Sequence, residues 1–265
     1  MVTLSAIFTP DQPPEQILPA AAAAEAAGMT HLWVWEDCFS ESGIATATAM
    51  LATTSRLTVG IGLLPVPLRN VALTAMELAT VSRLFPGRLM PGIGHGVLSW
   101  MGQVGALAES PLTLLREYTA ALYPLLHGKT VTVHGRYVNL DEVKLDWPPA
   151  VPPPLLVGGV KPRTVALAGE LADGVIISSG PSPDEIRATA GHFRARRPDG
   201  ADSGDVVVFT HASADSPARE IAAMVSEYAA AGATHVAVNA NERDADLERF
   251  VTLLAREVSP LVRSG

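Results

Sequence analysis

LTVGIGLLPVPLRNVALTAMELATVSRLFPGRLMPGIGHG, residues 57–96, decides how this chain folds. Leu57–Leu64 is an unbroken apolar run that stops at Pro65 and Pro67. Asn70–Leu84 has the length of a helix, and Arg88–Gly94 is a second strand-like run ending in Gly92-Ile93-Gly94-His95-Gly96. A strand that is apolar at every position is covered on both faces, as in a parallel sheet wrapped by helices. Both strands lead into loops with few large side chains, where backbone can come close to a flat ligand or an anion.

The same unit repeats in both directions. Val2–Phe8 is followed by an Ala-rich helix, Glu15–Ala27, with Gly28 as its natural C-cap. His31–Trp35 precedes the helix Ile44–Thr53. Arg88–Gly94 is joined to the helix Leu112–His127 by a long loop, His95–Pro111. Then come Leu155–Gly159 with Arg163–Ala172, Gly174–Ser179 with Pro183–Arg196, Val206–Ala212 with Ala218–Ala231, and His235–Ala240 with Ala245–Glu257. Eight strand–helix pairs predict an α/β chain folded as a (β/α)8 TIM barrel, and 265 residues matches the length such a barrel needs. A doubly wound open sheet is the alternative topology. Residues 1–265 are expected to form a single domain.

Two features interrupt the alternation. Thr130–Leu140 alternates with period two about His134-Gly135, which predicts a short β-hairpin inserted before strand five. Trp147–Pro154 holds five prolines and reads as a stiff connector back to that strand. Pro91 lies inside strand four without a ladder donor, so a bulge is expected nearby.

Composition narrows the function. A formal net charge of -8 argues against nucleic acid as a partner. The basic cluster Arg194–Arg197 is expected to be solvated at a helix end. Ala20–Ala24 is too short to span a membrane, and no secretory pattern is visible before it. One cysteine, Cys38, fits a reducing compartment and a cytoplasmic location. The histidines and Cys38 are scattered without metal-ligand spacing, so no metal site is expected.

A barrel carries its chemistry at the C-terminal ends of its strands. Those ends hold Glu36-Asp37-Cys38, Gly94-His95-Gly96, Gly158-Gly159-Val160-Lys161, Ser178-Ser179-Gly180, His211 and Asn239. Gly158–Thr164 opens a helix with Pro162 near its first turn, and free amides there, aided by Lys161 or Arg163, would favour a phosphate. The alternative is a tight turn with solvated cations. Gly92-x-Gly-x-Gly lacks dinucleotide spacing and suits a flat passage beside a ring instead. His95 is the best-placed proton-exchanging group, with ordinary loop hydrogen bonding as the other reading. His31 and His235 begin strands and belong to the stability end, while His127, His134 and His192 are expected to be exposed. Glu36 and Asp37 are adjacent and should diverge, one toward the site. Cys38 is either a small buried hydrophobe or a site thiol. Trp33, Trp35 and Trp100 either stack on a ring or fill space, with Trp100 the likeliest to meet a ligand.

The Pro-x-Pro-Leu-Arg-Asn turn, the Gly-x-Gly-x-Gly strand end, Pro111–Gly128 and Leu171-Ala172-Asp173-Gly174-Val175 together resemble the luciferase-like flavin- and deazaflavin-dependent oxidoreductases. The resemblance implies coenzyme F420, with FMN as the alternative cofactor, and a small organic substrate. It implies a non-proline cis peptide at Gly62-Leu63 behind the ring, with His95 and Gly96 lining it. Gly158, Gly159, Val160, Lys161 and Arg163 would hold the cofactor phosphate, and Asp37 and Ser178 would add contacts. The chain departs from several deazaflavin reductases: Cys38 stands where they carry histidine, and Val97 where they carry an acid. His95 and Cys38 are then the candidate catalytic residues. Three functions stay open: hydride transfer with F420, FMN-dependent monooxygenation, and a non-catalytic flavin-binding barrel. The resemblance also implies a possible homodimer through barrel helices.

Overall fold

The computed structural model describes residues 2–10, 12–242 and 245–263. Its barrel strands are β1 (Thr3–Phe8), β2 (His31–Val34), β3 (Thr58–Pro65), β4 (Leu89–Gly94), β7 (Leu156–Gly158), β8 (Gly174–Ile177), β9 (Asp205–Ala212) and β10 (His235–Ala240). They close in the order β1-β10-β9-β8-β7-β4-β3-β2, every pairing parallel. This is the expected TIM barrel. Around it lie α1 (Ile17–Ala26), α2 (Gly43–Thr53), α3 (Val71–Leu84), α4 (Leu98–Gln103), α5 (Pro111–Leu126), α6 (Pro162–Leu171), α7 (Pro183–Arg194), α8 (Ala218–Ala230), α9 (Leu247–Leu253) and α10 (Ser259–Arg263). Each crossover helix lays an apolar stripe on the sheet, and one large buried cluster joins helices to strands. Inside the barrel a second cluster holds Ile7, Trp33, Met90, Leu156, Ile176, Val207, Phe209 and Ala237. Trp33 fits because Gly60 faces it: a Cβ there would lie 2.2 Å from the indole.

The inserted hairpin is β5 (Val131–His134) paired with β6 (Asn139–Val143). It runs three residues beyond the expected end, because Val143 pairs back to Val131. Glu117 on α5 accepts from the amides of Arg136, Tyr137 and Val138, so the arm is docked on that helix. The long loop after strand four is not structureless, since it contains α4, too short to show a helical period in sequence. The eighth helix begins at Leu247, capped by Asp246, and a π-helical turn at Leu254–Val258 leads into α10. The bulge expected near Pro91 lies across from it: between the pairs Ile61–Pro91 and Leu64–Ile93, β3 carries one extra residue.

Arg194 and Arg197 are not simply solvated. Arg194 donates to the Gly232 carbonyl and Arg197 to the Ala172 carbonyl, so both tie neighbouring loops together. No helix among the described residues is long and apolar enough to cross a membrane.

Candidate active site

The bulge in β3 shapes the mouth of the barrel. Gly62-Leu63 is a cis peptide, and so is Cys38-Phe39. A Cβ on Gly62 would lie 2.3 Å from the Phe209 ring, so backbone there rests directly on an aromatic floor. Trp35 extends that floor, its ring 6.2 Å from Phe209. Leu63 lies across two glycines: a Cβ on Gly94 would come within 2.5 Å of Leu63 Cδ2, and one on Gly158 within 2.3 Å. The small residues of strands four and five therefore make room first for Leu63, and its partly exposed side chain forms the surface a flat ligand would meet.

The turn after β7 is built as a helix N-terminus. The Gly159 amide is already committed, donating to the Ile176 carbonyl at 3.1 Å. A Cβ on Gly159 would lie 2.4 Å from Thr164 Cγ2, so Gly159 is small for Thr164 rather than for direct anion approach. The next amides, those of Val160, Lys161 and Arg163, donate to no described acceptor, and all three residues are exposed. Orphan amides at the start of a ten-residue helix, beside two cations, are suited to an anion. Ser178, Ser179 and Gly180 follow β8 on the same side and line a cavity of about 540 Å³ with Val160 and Pro162. His192, expected in solvent, also lines this cavity, half-buried, and bonds the Pro162 carbonyl at 3.0 Å.

His95 stands between two helix starts. Its Nε2 lies 3.2 Å from Thr164 Oγ1 on α6, and its Nδ1 is buried beside the Pro111 backbone of α5. Burial holds its pKa below the ordinary histidine value, the Pro111 backbone pulls it up, and Lys161 pushes it down again. The ring is thus a neutral group near pH 7, held in place by Thr164. Gly96, with φ +68°, turns the chain tightly over Pro65 and Met101, and Met101, fully buried, anchors α4.

The acidic pair at the end of β2 diverges as expected. Glu36 turns inward, accepts from the Gly43 amide at 2.8 Å, and forms a two-point ion pair with Arg69. It caps α2 and binds the β2 exit to the β3 exit. Asp37 faces the other way and lines a recess of about 680 Å³ with Pro10, Gln12, Pro13, Pro14, Cys38, Ser40, Glu41 and Trp100. Burial pushes the Asp37 carboxyl pKa up. Burial, then Glu36 and Asp37, push the Cys38 thiol up as well, so it is a thiol rather than a thiolate at neutral pH. No group of three or more His, Cys, Asp or Glu among the described residues is placed to hold a metal.

His95, the end of β3 and the β7 turn lie at one end of the barrel, as expected from the sequence, whereas the bulge expected near Pro91 lies in β3 instead. Sequence reading left Arg69 and Thr164 without roles and did not see the proline-walled recess. Arg69 was visible only as part of a turn, because nothing local marks Glu36 as its partner. His211, exposed beside Gly180, and Asn239, bonded to the adjacent Ala240 carbonyl, stand at the rim.

Comparison with known proteins agrees with this architecture. The chain is 29% identical over 178 residues to a 5,10-methylenetetrahydromethanopterin reductase from Methanolobus tindarius, a stretch that covers 67% of this chain and 54% of that protein. It is 30% identical over 190 residues to an F420-dependent glucose-6-phosphate dehydrogenase from Nakamurella multipartita, covering 64% of this chain and 54% of that one. The matched stretch thus spans about half the length of these relatives. A solved F420-dependent secondary alcohol dehydrogenase in complex with an F420-acetone adduct superposes with a TM-score of 0.88 at 19% identity, over 99% of this chain and 100% of that one. An FMN-bound type II Baeyer-Villiger monooxygenase constituent from Pseudomonas putida does so at 0.77 and 14% identity, over 98% and 99%. With the luciferase-like monooxygenase family matching residues 2–258 on top of the closed barrel and its bulged third strand, the chain belongs to that family.

Proposed function

We propose that this protein is an oxidoreductase that binds coenzyme F420 and passes hydride between it and a small organic substrate, with residues 1–265 acting as one luciferase-like domain. The observation that carries the reading is the pairing of a flat floor with an anion site on one mouth. Leu63 and the Trp35–Phe209 floor offer a surface for a ring, while three uncommitted amides with Lys161 and Arg163 wait at the start of α6. Relatives named for F420 chemistry favour the deazaflavin over FMN. The residues present fit such a cofactor.

When bound, the deazaflavin would supply a hydride donor or acceptor at its C5. Gly158 and Gly94 keep Leu63 behind the ring, and Val160, Lys161 and Arg163 hold the phosphate, with Gly159 giving Thr164 its space. Asp37, Gly62, Gly96 and Ser178 complete the cofactor surroundings. His95, neutral and held by Thr164, is the group that exchanges a proton at the mouth. Cys38 lines the neighbouring wall as a thiol. The same reading includes a cytoplasmic location, supported by a lone cysteine that pairs with no other. It also includes a homodimer: Leu73, Met76 and Leu84, on one face of α3, are 47%, 58% and 64% exposed.

Parallel titration with F420 and FMN tests the cofactor. Quenching of tryptophan emission should report F420 binding at least about tenfold tighter than FMN. Tighter FMN binding would sink the deazaflavin reading.

A further inference from the structure

The pleat of the last two barrel strands decides which of their side chains look into the mouth. On β9, Val207 and Phe209 belong to the inner cluster, while Val206 and Val208 belong to the one shared with the helices. Thr210 keeps the alternation and donates outward to Met224 Sδ on α8 at 3.8 Å. His211 therefore turns inward, two residues and about 6.6 Å nearer the mouth than the Phe209 floor. On β10, Ala237 is inner and Val236 and Val238 are outer, so Asn239 turns inward as well. The next residues, Ala212 and Ala240, pack on the outer cluster again. His211 and Asn239 are register partners on adjacent parallel strands. Around the closed barrel β9 lies four steps from β3 in either direction, and β10 four steps from β4. The pair thus faces Leu63 and Gly94 across the mouth. One layer down, the same opposition lets a Cβ on Gly62 come within 2.3 Å of the Phe209 ring.

We propose that His211 and Asn239 are substrate-binding residues, which together take a hydroxyl or carbonyl oxygen of the substrate on the side of the ring away from Leu63. The proposal rests on the oxidoreductase reading above for the words substrate and ring. The side chain of His211 is exposed and has no hydrogen-bond partner among the described residues. His95 differs, since its Nε2 is engaged by Thr164. Asn239 commits one amide hydrogen to the Ala240 carbonyl at 2.9 Å and keeps the other, together with Oδ1. An uncharged imidazole and a carboxamide each carry a donor and an acceptor. Oxidation of an alcohol sends a hydride from carbon to the cofactor and the hydroxyl proton to a base, for which the reading above has His95. The carbonyl oxygen left behind can stay with the same two groups, because each can bond either form. The pair is also held in place. Gly180, with φ +58°, brings the β8 loop against the imidazole, where a Cβ would lie 3.2 Å from His211 Cε1. Just beyond the pair, the Asn241 amide donates to the Ala212 carbonyl, and Ser213 Oγ and the Ala214 amide donate to the Glu242 carboxylate. These bonds fix the two strand exits to each other without consuming the groups offered to a ligand, so little order remains to be imposed on binding.

Cyclohexanone and methylenecyclohexane share a shape and differ by an oxygen against a methylene group. Proton NMR titration of the full chain loaded with F420 should show the ketone binding at least about fivefold tighter. The His211 Hε1 resonance, identified by its loss in His211→Phe, should move as the ketone saturates. His211→Phe and Asn239→Leu should each weaken the ketone about fivefold with F420 affinity unchanged, and a circular dichroism melt confirms that the variants are folded. His211→Gln, which keeps a donor and an acceptor, should retain most of the ketone affinity. Equal binding of the two probes, no ketone binding by the F420-loaded protein, a His211 resonance that stays still at saturation, or indifference to both His211→Phe and Asn239→Leu overturns the proposal. So does a loss of F420 affinity in His211→Phe as large as the loss for the ketone, which would give the pair to the cofactor. Failure of F420 to bind, with the ketone alone still moving the His211 resonance, overturns the cofactor reading instead and leaves the binding pair supported.

Discussion

The two sides of the barrel mouth follow opposite plans. On the β7–β8 side, glycines, exposed amides and two cations sit at the start of α6, and little side chain stands between backbone and solvent. On the β1–β2 side, prolines, an indole and two acids are among the described residues that line a recess. The strands beneath are alike: short, parallel and apolar. The contrast therefore arises wholly in the loops, which a closed barrel leaves free to vary because the sheet is satisfied without them. It also has a consequence for binding. An anion is favoured at the start of α6, where two cations stand beside amides that have no described acceptor.

The hardest blow to that contrast is at the seam. Glu36 is buried and holds both the α2 N-terminus and Arg69, so it fixes the β2 exit against the β3 exit. Glu36→Leu leaves Arg69 half-buried without its main partner and should cost about 3 kcal/mol, near the lower end for a broken buried pair because Glu77 and water remain. Chemical denaturation measures the loss. If the stability is unchanged, the two sides are not held by this pair. Glu36→Gln should recover part of it by keeping the Gly43 bond.

A second perturbation comes from the far end and should spare the contrast. His31 and His235 pack edge to face there, with ring centroids 5.4 Å apart. Burial, with His235 adding, lowers the His31 pKa to about 4. The unfolded chain binds this proton near pH 6.5, so stability is full above that value and falls as the pH drops toward 4. By pH 5 the loss should be about 2 kcal/mol. His31→Asn should flatten this part of the pH–stability curve. Cofactor affinity, measured where the protein is still folded, should not follow it. A stability curve equally steep in the variant would assign the acid sensitivity elsewhere.

The smallest change is the sharpest for the cofactor side. A Cβ on Gly158 would collide with the end of the Leu63 side chain, which can shift, while Leu63 Cγ and the Ile93 carbonyl stay at ordinary contact distance. Gly158→Ala should therefore cost less than about 1 kcal/mol in stability. Cofactor affinity should fall about tenfold. Leu63→Ala in the same chain should restore room and part of the affinity. An unchanged cofactor affinity in the folded variant would show that the β7 exit does not contact the cofactor.

How much of this was legible in the chain depends on how local the cause is. Residues 57–96 announce two buried parallel strands, since runs as short as Leu57–Leu64, stopped by prolines, suit a covered strand, and the repeat then counts to eight. Pro91 signalled a bulge, but the extra residue sits in its neighbour β3, a fact about pairing rather than about Pro91. His95 was recognisable by position, whereas its tether, Thr164, is 69 residues away and has no motif of its own. Gly159 was read as clearance for an anion, yet it clears space for that threonine. The short α4 escaped notice because six residues show too little periodicity.

The sequence by itself determined the barrel, the end at which its polar loop residues gather and the family resemblance, because hydrophobic period and turn residues act over a few positions at a time. Only the tertiary structure decided which of Glu36 and Asp37 turns inward to Arg69 and which lines the recess, what the glycines make room for, and that Pro10, Asp37 and Trp100 wall one recess. Those facts depend on contacts between loops carried by different strands, and closing the barrel is what brings such loops together.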